Sequence, residues 1–282
     1  MTVISENKRS RFVDYIYASV LPTCAKGLTI LVPRTQLALP DNAILLTFDD
    51  GPSAHVTPRL LRVLSDANIS ACFCVVGTHV QALPDITRQI VAEGHVIANH
   101  GYCHRLALFH GSQTLSRDID ECDAILAKVL NQPDYRSLVY RPPGGWLLPH
   151  VNALIKVPAM QIAPITYFPM DHRYGPEQAQ IVFDRCYERL MQERGGSVVF
   201  HEAIYGAELL GKHLSCCPSY DRSWLAEGIQ KWITRLQQAG LVFLDAKTFF
   251  SNTLVRGSKT PLGYALRQSN LFNINQTCHA PW

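Results

Sequence analysis

The sequence predicts an α/β protein: a barrel of about seven parallel strands is the favoured closure, and a doubly wound open sheet is the runner-up. Three observations carry this reading. Short, nearly all-apolar runs recur along the chain, and longer stretches with helical apolar spacing separate them. Seven residues able to do chemistry stand just after five of the short runs. The Gly-rich phosphate fingerprints G-x-G-x-x-G and G-x-x-x-x-G-K-[ST] do not occur, which argues against nucleotide binding.

Taken in order, the strand candidates are Ala43–Phe48, Ala71–Val76, His95–Ala98, Leu138–Tyr140, Ile165–Pro169, Ser197–Phe200 and Leu241–Leu244. Apolar residues at successive positions suit parallel strands covered on both faces. After the first strand, Thr57-Pro58 reads as a helix cap followed by a first-turn proline, with Leu60, Leu61 and Leu64 behind it. After the third, Thr114 reads as an N-cap, with Leu115, Ile119, Cys122, Leu126 and Val129 at helical spacing. Residues 1–42 are expected to be an N-terminal extension packing on the barrel, 43–250 the barrel domain and 251–282 a C-terminal tail.

Composition narrows the function classes. A chain of 282 residues with 47% apolar content can bury a large core. The formal charge is only +3, and Lys8-Arg9-Ser10-Arg11 is an isolated basic run without aromatic interleaving, so nucleic acid is not the expected partner. Nine cysteines are an odd number without framework spacing, and Cys72, Cys74 and Cys122 sit in apolar runs. They read as buried free thiols of a reducing compartment, with the vicinal Cys216-Cys217 as the exception. No run approaches the roughly 20 apolar residues that span a bilayer. Phe12 to Cys24, interrupted by Asp14, reads as a surface helix able to touch a membrane rather than an export signal. The expected location is the cytoplasm or the cytoplasmic face of a membrane.

Asp49 and Asp50 follow the first strand, His100 and His104 the third, Arg141 the fourth, Asp171 the fifth and His201 the sixth. In a parallel barrel all C-terminal strand ends open on one rim, so residues far apart in sequence converge there. On a helical turn, His100 and His104 at i, i+4 would present two imidazoles to one face. One carboxylate added to them gives a set with open positions, suited to zinc or another divalent first-row ion. Asp49-Asp50 reads either as turn chemistry before Gly51-Pro52 or as a site. Burying adjacent carboxylates costs on the order of several kcal/mol unless a cation compensates, and the preceding strand favours the site. Arg141, Asp171 and His201 are each ordinary alone; their joint occurrence at strand ends singles them out.

These segments resemble the polysaccharide deacetylase family, also called the NodB-homology domain or carbohydrate esterase family 4. Thr47-Phe48-Asp49-Asp50-Gly51-Pro52 is its first motif in full. His100-Gly101-Tyr102-Cys103-His104 is similar to the second, His-Ser/Thr-x-x-His, and Arg141-Pro142-Pro143-Gly144-Gly145 to the third, Arg-x-Pro-x-Gly. Val199-Phe200-His201 is similar to the fifth, and the likeness runs from about Ala43 to Phe250. Gly101 stands where the family prefers a hydroxyl, and Gly144 where an aromatic is common. Asp171-His172-Arg173-Tyr174 keeps only the first acid of the fourth motif, Asp-x-x-Asp-Trp.

The resemblance implies a distorted (β/α) barrel with one divalent ion, zinc first and cobalt, nickel or manganese as alternatives, held by Asp50, His100 and His104. It implies Asp49 as general base and His201 as general acid, with Arg141 holding Asp49 ionised and Asp171 orienting His201. It further implies a backbone N–H near Gly144 at the oxyanion, and an acyl-methyl pocket at Val199, with Trp146 beside it. The expected reaction is removal of an N-acyl group, acetyl first, from an amino sugar in a poly- or oligosaccharide. Two alternatives stand: a formamido sugar on a lipid carrier or another small amide in the same site, or a metal- or glycan-binding relative without catalysis.

Overall fold

A computed structural model describes residues 39–156, 160–205 and 221–257. The surface helix read at 12–24, most of the N-terminal extension, the pair Cys216-Cys217 and residues 258–282 lie outside the described residues. Among the described residues seven strands pair in parallel: β1 (Ala43–Gly51), β2 (Cys72–Val75), β3 (Val96–Asn99), β4 (Val139–Tyr140), β5 (Gln161–Ile162), β6 (Gly195–His201) and β7 (Val242–Phe243). Their order is β5-β4-β3-β2-β1-β6. The buried β1 has β6 along one edge from Ala43 to Asp49, while β7 at Ala43–Ile44 and β2 from Thr47 share the other. Beyond β5 the chain turns back to β6. Tyr167 bridges Val198, and the N–H groups of Thr166 and Tyr167 both donate to the Ser197 carbonyl at 3.0 and 2.9 Å. The sheet therefore curls towards closure as an irregular parallel barrel.

The helices are α1 (Thr57–Asp66), α2 (Gly77–Ala82), α3 (Pro84–Ala92), α4 (Ser112–Val129), α5 (Pro149–Lys156), α6 (Ala179–Glu193), α7 (Trp224–Gln238) and α8 (Ala246–Gly257). Strand alternation divides the core in two. Ile44, Leu46, Phe48, Phe73, Val75, Val198 and Phe200 pack outward against α1, α4, α6 and α7. Leu45, Cys72, Cys74, Val96, Ala98, Val139 and Ala163 form a separate interior of mostly small side chains, joined by Ala246 and Phe250 of α8. Cys72, Cys74, Cys122 and Cys186 are buried free thiols and Cys103 is a partly exposed one. No helix among the described residues is long and apolar enough to cross a membrane.

Three local expectations are corrected. The fifth strand was expected at Ile165–Pro169, but the ladder forms at Gln161–Ile162 and leaves one bridge at Tyr167. Pro164 and Pro169 lack the N–H a continuous ladder needs. The Pro164 carbonyl instead accepts from Arg141 Nη2 at 3.3 Å and Ser197 Oγ at 2.6 Å. Thr57 opens α1 as its first residue rather than capping it, because its hydroxyl accepts from the Ser53 N–H at 2.7 Å and donates to Glu202. Thr114 lies inside α4, which starts at Ser112 behind Gly111.

Candidate active site

In an unbroken strand Asp49 and Asp50 would point to opposite faces. The β1–β2 register shifts between Asp49 and Gly51, and Asp50 adopts φ +68, so the kink turns the second carboxylate towards the first. Both come within reach of one imidazole: His100 Nε2 lies 3.3 Å from Asp50 Oδ1 and 4.0 Å from Asp49 Oδ2. His104 Nε2 lies 3.2 Å from the same Asp50 oxygen. One ligand atom from each of Asp50, His100 and His104 falls within 4.8 Å of the others.

The two histidines converge through a loop, not the helical turn their spacing suggested. Gly101 has φ +77 and His104 φ +49, and Asn99 Oδ1 accepts the Gly101 N–H at 2.8 Å. Asp118 of α4 accepts the Cys103 N–H at 3.0 Å and lies 3.3 Å from Arg105 Nε. A Cβ on Gly101 would stand 2.2 Å from Asp118 Oδ2. The position where the family prefers a hydroxyl is thus occupied by a carboxylate from a neighbouring helix.

Each imidazole is held from behind. His100 Nδ1 faces the Arg141 carbonyl at 2.7 Å, and since a carbonyl only accepts, Nδ1 carries the proton and Nε2 the lone pair. The Tyr205 ring stacks on His104 with centroids 5.1 Å apart, and its backbone N–H donates to Asp50 Oδ2 at 3.3 Å. Asp50 Oδ1 is buried and has no hydrogen-bond donor among the described residues. Burial pushes the Asp50 carboxyl up, but His104 and His100 outweigh it and hold the group well below the usual carboxylate range.

Asp49 is clamped separately. The Arg141 guanidinium, fully buried, reaches both its oxygens at 3.2 and 3.1 Å and also donates to Thr47 Oγ1 at 3.1 Å. Burial pulls Arg141 towards neutrality, yet the Asp49 charge more than restores it.

Across the rim, His201 Nδ1 lies 2.9 Å from Asp171 Oδ1, and the other Asp171 oxygen accepts the His201 N–H at 2.8 Å and a bond from Arg222. Burial pulls the His201 imidazole down, but the Asp171 charge and hydrogen bond raise it above its ordinary value. Burial pushes Asp171 up, and His201 and Arg222 bring it below the usual range. Phe168 and His172 flank the imidazole at centroid distances of 5.3 and 4.9 Å. Burial, and secondarily His201, drives His172 down to about 3.

The remaining expected residues sit as follows. Gly144 is exposed at φ +71 in the short 3-10 turn Pro143–Gly145. Val199 is buried on β6, two residues before His201 and opposite Thr47 of β1. Trp146 packs against the apolar cluster of Tyr140, Leu147 and Val151. Sequence reasoning missed Asp118, Tyr205 and Arg222. Only Asp118 left a signal, an acid on the buried face of an amphipathic helix.

The family model for polysaccharide deacetylase matches residues 37–160, which contain Asp49, Asp50, His100, His104 and Arg141. The chitooligosaccharide deacetylase of Rhizobium leguminosarum bv. trifolii is 36% identical over 115 residues, 41% of this chain and 53% of that protein. The likeness to the polysaccharide deacetylase family thus extends over residues 37–160 of this chain. A second relative, the peptidoglycan-N-acetylglucosamine deacetylase of Bacillus cereus, is 35% identical over 107 residues, 38% of this chain and 48% of that one. The chain spans about half the length of these curated relatives. Among solved structures, the Bc1960 peptidoglycan N-acetylglucosamine deacetylase superposes with a TM-score of 0.61 at 22% identity, over 79% of this chain and 92% of that one. BA3943 of Bacillus anthracis, described as a CE4 family pseudoenzyme, superposes at 0.58 and 18% identity, over 74% and 66%. Both share the fold of this chain.

Proposed function

We propose that the chain is a metal-dependent N-deacylase of amino-sugar glycans, with N-acetyl as the group removed. The observation that carries the reading is the pairing of two adjacent carboxylates in different environments. Asp50 faces two imidazoles, while Asp49 is held by Arg141 beside them. A divalent cation fits the first set: its two nitrogens and one oxygen converge, and a buried oxygen there lacks a donor among the described residues. Asp50, His100 and His104 would hold the ion, with zinc first and cobalt, nickel or manganese as alternatives. Bound there, it would polarise the amide carbonyl and lower the pKa of the attacking water.

The chain's own groups do the proton work. Asp49, held and aimed by Arg141 through both oxygens, accepts a proton from the attacking water. His201, its Nδ1 held by Asp171, has Nε2 left to protonate the departing sugar nitrogen, a poor leaving group until it gains that proton. The exposed Gly144 offers a backbone N–H to the developing oxyanion. Val199 below His201, with Trp146 beside the third motif, is the site we assign to the acyl methyl. The substrate class follows the relatives, which are named for chitooligosaccharide and peptidoglycan N-acetylglucosamine.

The test is acid release by chelator-stripped protein resupplied with zinc, cobalt, nickel or manganese. Substrates run from N-acetylated chitin oligomers to peptidoglycan fragments and formamido sugars. Acetate release dependent on added metal is expected. Formate release alone would move the reading to a deformylase, and no acid from any substrate would sink it.

A further inference from the structure

Resting on the reading that His201 is the proton donor, we propose that Arg222 is a positioning residue for the reaction. It ties Asp171 and the His201 backbone into one frame, which holds the imidazole in a single orientation. Arg222 stands two residues before α7 and is only 3% exposed. Its Nε donates to the His201 carbonyl at 2.9 Å, and Nη1 donates to the carbonyls of Asp171 at 2.8 Å and Tyr174 at 3.3 Å. Nη2 donates to the Asp171 carboxylate. The guanidinium face lies 4.5 Å over the Trp224 ring, so the group is fixed on its edges and on one face.

Those acceptors belong to two separate segments. The 3-10 turn Asp171–Arg173 follows Met170 at φ +56, a left-handed conformation that a non-glycine residue keeps only when its surroundings hold it. The other segment is the end of β6. Arg222 joins them, and no lysine could span the same acceptors, since an ammonium lacks the planar fork. Without it, the Asp171 carboxylate would retain His201 but lose its second cation.

The charged and titratable groups facing His201 are Asp171 and His172 from the turn, Asp49 and Asp50 from the end of β1, and Arg222 through Asp171. Arg222 is the permanent cation of the frame. Removing it leaves Asp171 to act on the imidazole alone, which favours the protonated ring.

The test compares the wild-type protein with Arg222→Met and Arg222→Lys. Steady-state kinetics on an N-acetylated chitin oligomer are measured across pH, and the His201 imidazole is titrated by nitrogen-15 NMR in the metal-free protein. Arg222→Met should lower kcat by about 100-fold with KM little changed. It should move both the alkaline limb of kcat/KM and the NMR midpoint of His201 to higher pH, and Arg222→Lys should recover part of kcat. Unchanged kcat, or a loss equal at every pH with His201 titrating as in wild type, would overturn the proposal. Should the methionine variant not fold, a lysine variant matching wild type in both kcat and titration would overturn it equally. A wild-type protein that releases no acid sinks the deacylase reading instead, while the NMR titration still decides whether Arg222 governs His201.

Discussion

Among the described residues the rim carries two buried carboxylate–cation assemblies, and they differ in the cation that faces the carboxylate. Asp49 is paired with Arg141, a cation that does not give up its proton, so the carboxylate is the member free to exchange one. Asp171 is paired with His201 and with Arg222, so its charge is doubly compensated and the imidazole becomes the exchangeable member. In the proposed reaction the identity of the partner, more than that of the carboxylate, sets which group moves the proton. Asp50 is a third case. Its partners are two imidazoles, one of whose Nδ1 atoms is already committed to a carbonyl, an arrangement suited to a cation rather than to proton transfer.

Removing the proposed base breaks the comparison hardest. Asp49→Asn keeps the shape and should lower kcat by on the order of 10³-fold, while metal content measured by plasma mass spectrometry stays at the wild-type level. Metal lost together with activity would make Asp49 a ligand and erase the distinction between the two adjacent acids.

The opposite assembly gives a signed prediction. Asp171 raises His201, whose form as the proposed donor is protonated, so activity needing that proton should be present at low pH and lost as pH rises through the His201 value. Asp171→Asn removes the charge that favours the imidazolium, and the alkaline limb of kcat/KM should move to lower pH, with kcat down about 100-fold. This is opposite in direction to the shift expected of Arg222→Met, and the two variants measured together sharpen the assignment. Limbs moving the same way would mean that both act through local unfolding.

The two assemblies also differ in how legible they were. Strands β1, β2, β3, β4, β6 and β7 fall within three residues of their expected ends; for all but the exposed β7, a strand buried on both faces is written as a continuous apolar run. β5 was misplaced because its apolar run sits between prolines that cannot donate. The Asp49, Asp50 and Arg141 side was readable because its residues stand in short contiguous motifs at strand ends. Arg222 was not, since most of its acceptors are backbone carbonyls, which leave no mark on the side-chain pattern. Asp118 left a partial signal: its place on the apolar face of an amphipathic helix marks it as buried, and the fold adds that it is turned towards the histidine loop.

The smallest effect probes that loop. Gly101 departs from the family's hydroxyl residue, and the structure gives two reasons: a φ of +77 and the Asp118 carboxylate 2.2 Å from where a Cβ would stand. Gly101→Ser should therefore destabilise the protein by about 2 kcal/mol in denaturant unfolding, roughly half from the left-handed backbone and half from displacing Asp118. Asp118 cannot yield freely, because it also holds the Cys103 N–H and Arg105. In an Asp118→Ala background the steric part disappears, and the serine should cost only about 1 kcal/mol. That coupling separates a carboxylate standing in for the hydroxyl from a glycine retained for its backbone alone. Strictly additive changes would leave φ as the whole explanation, and Asp118 would then be a support for Cys103 with no bearing on which residue occupies position 101.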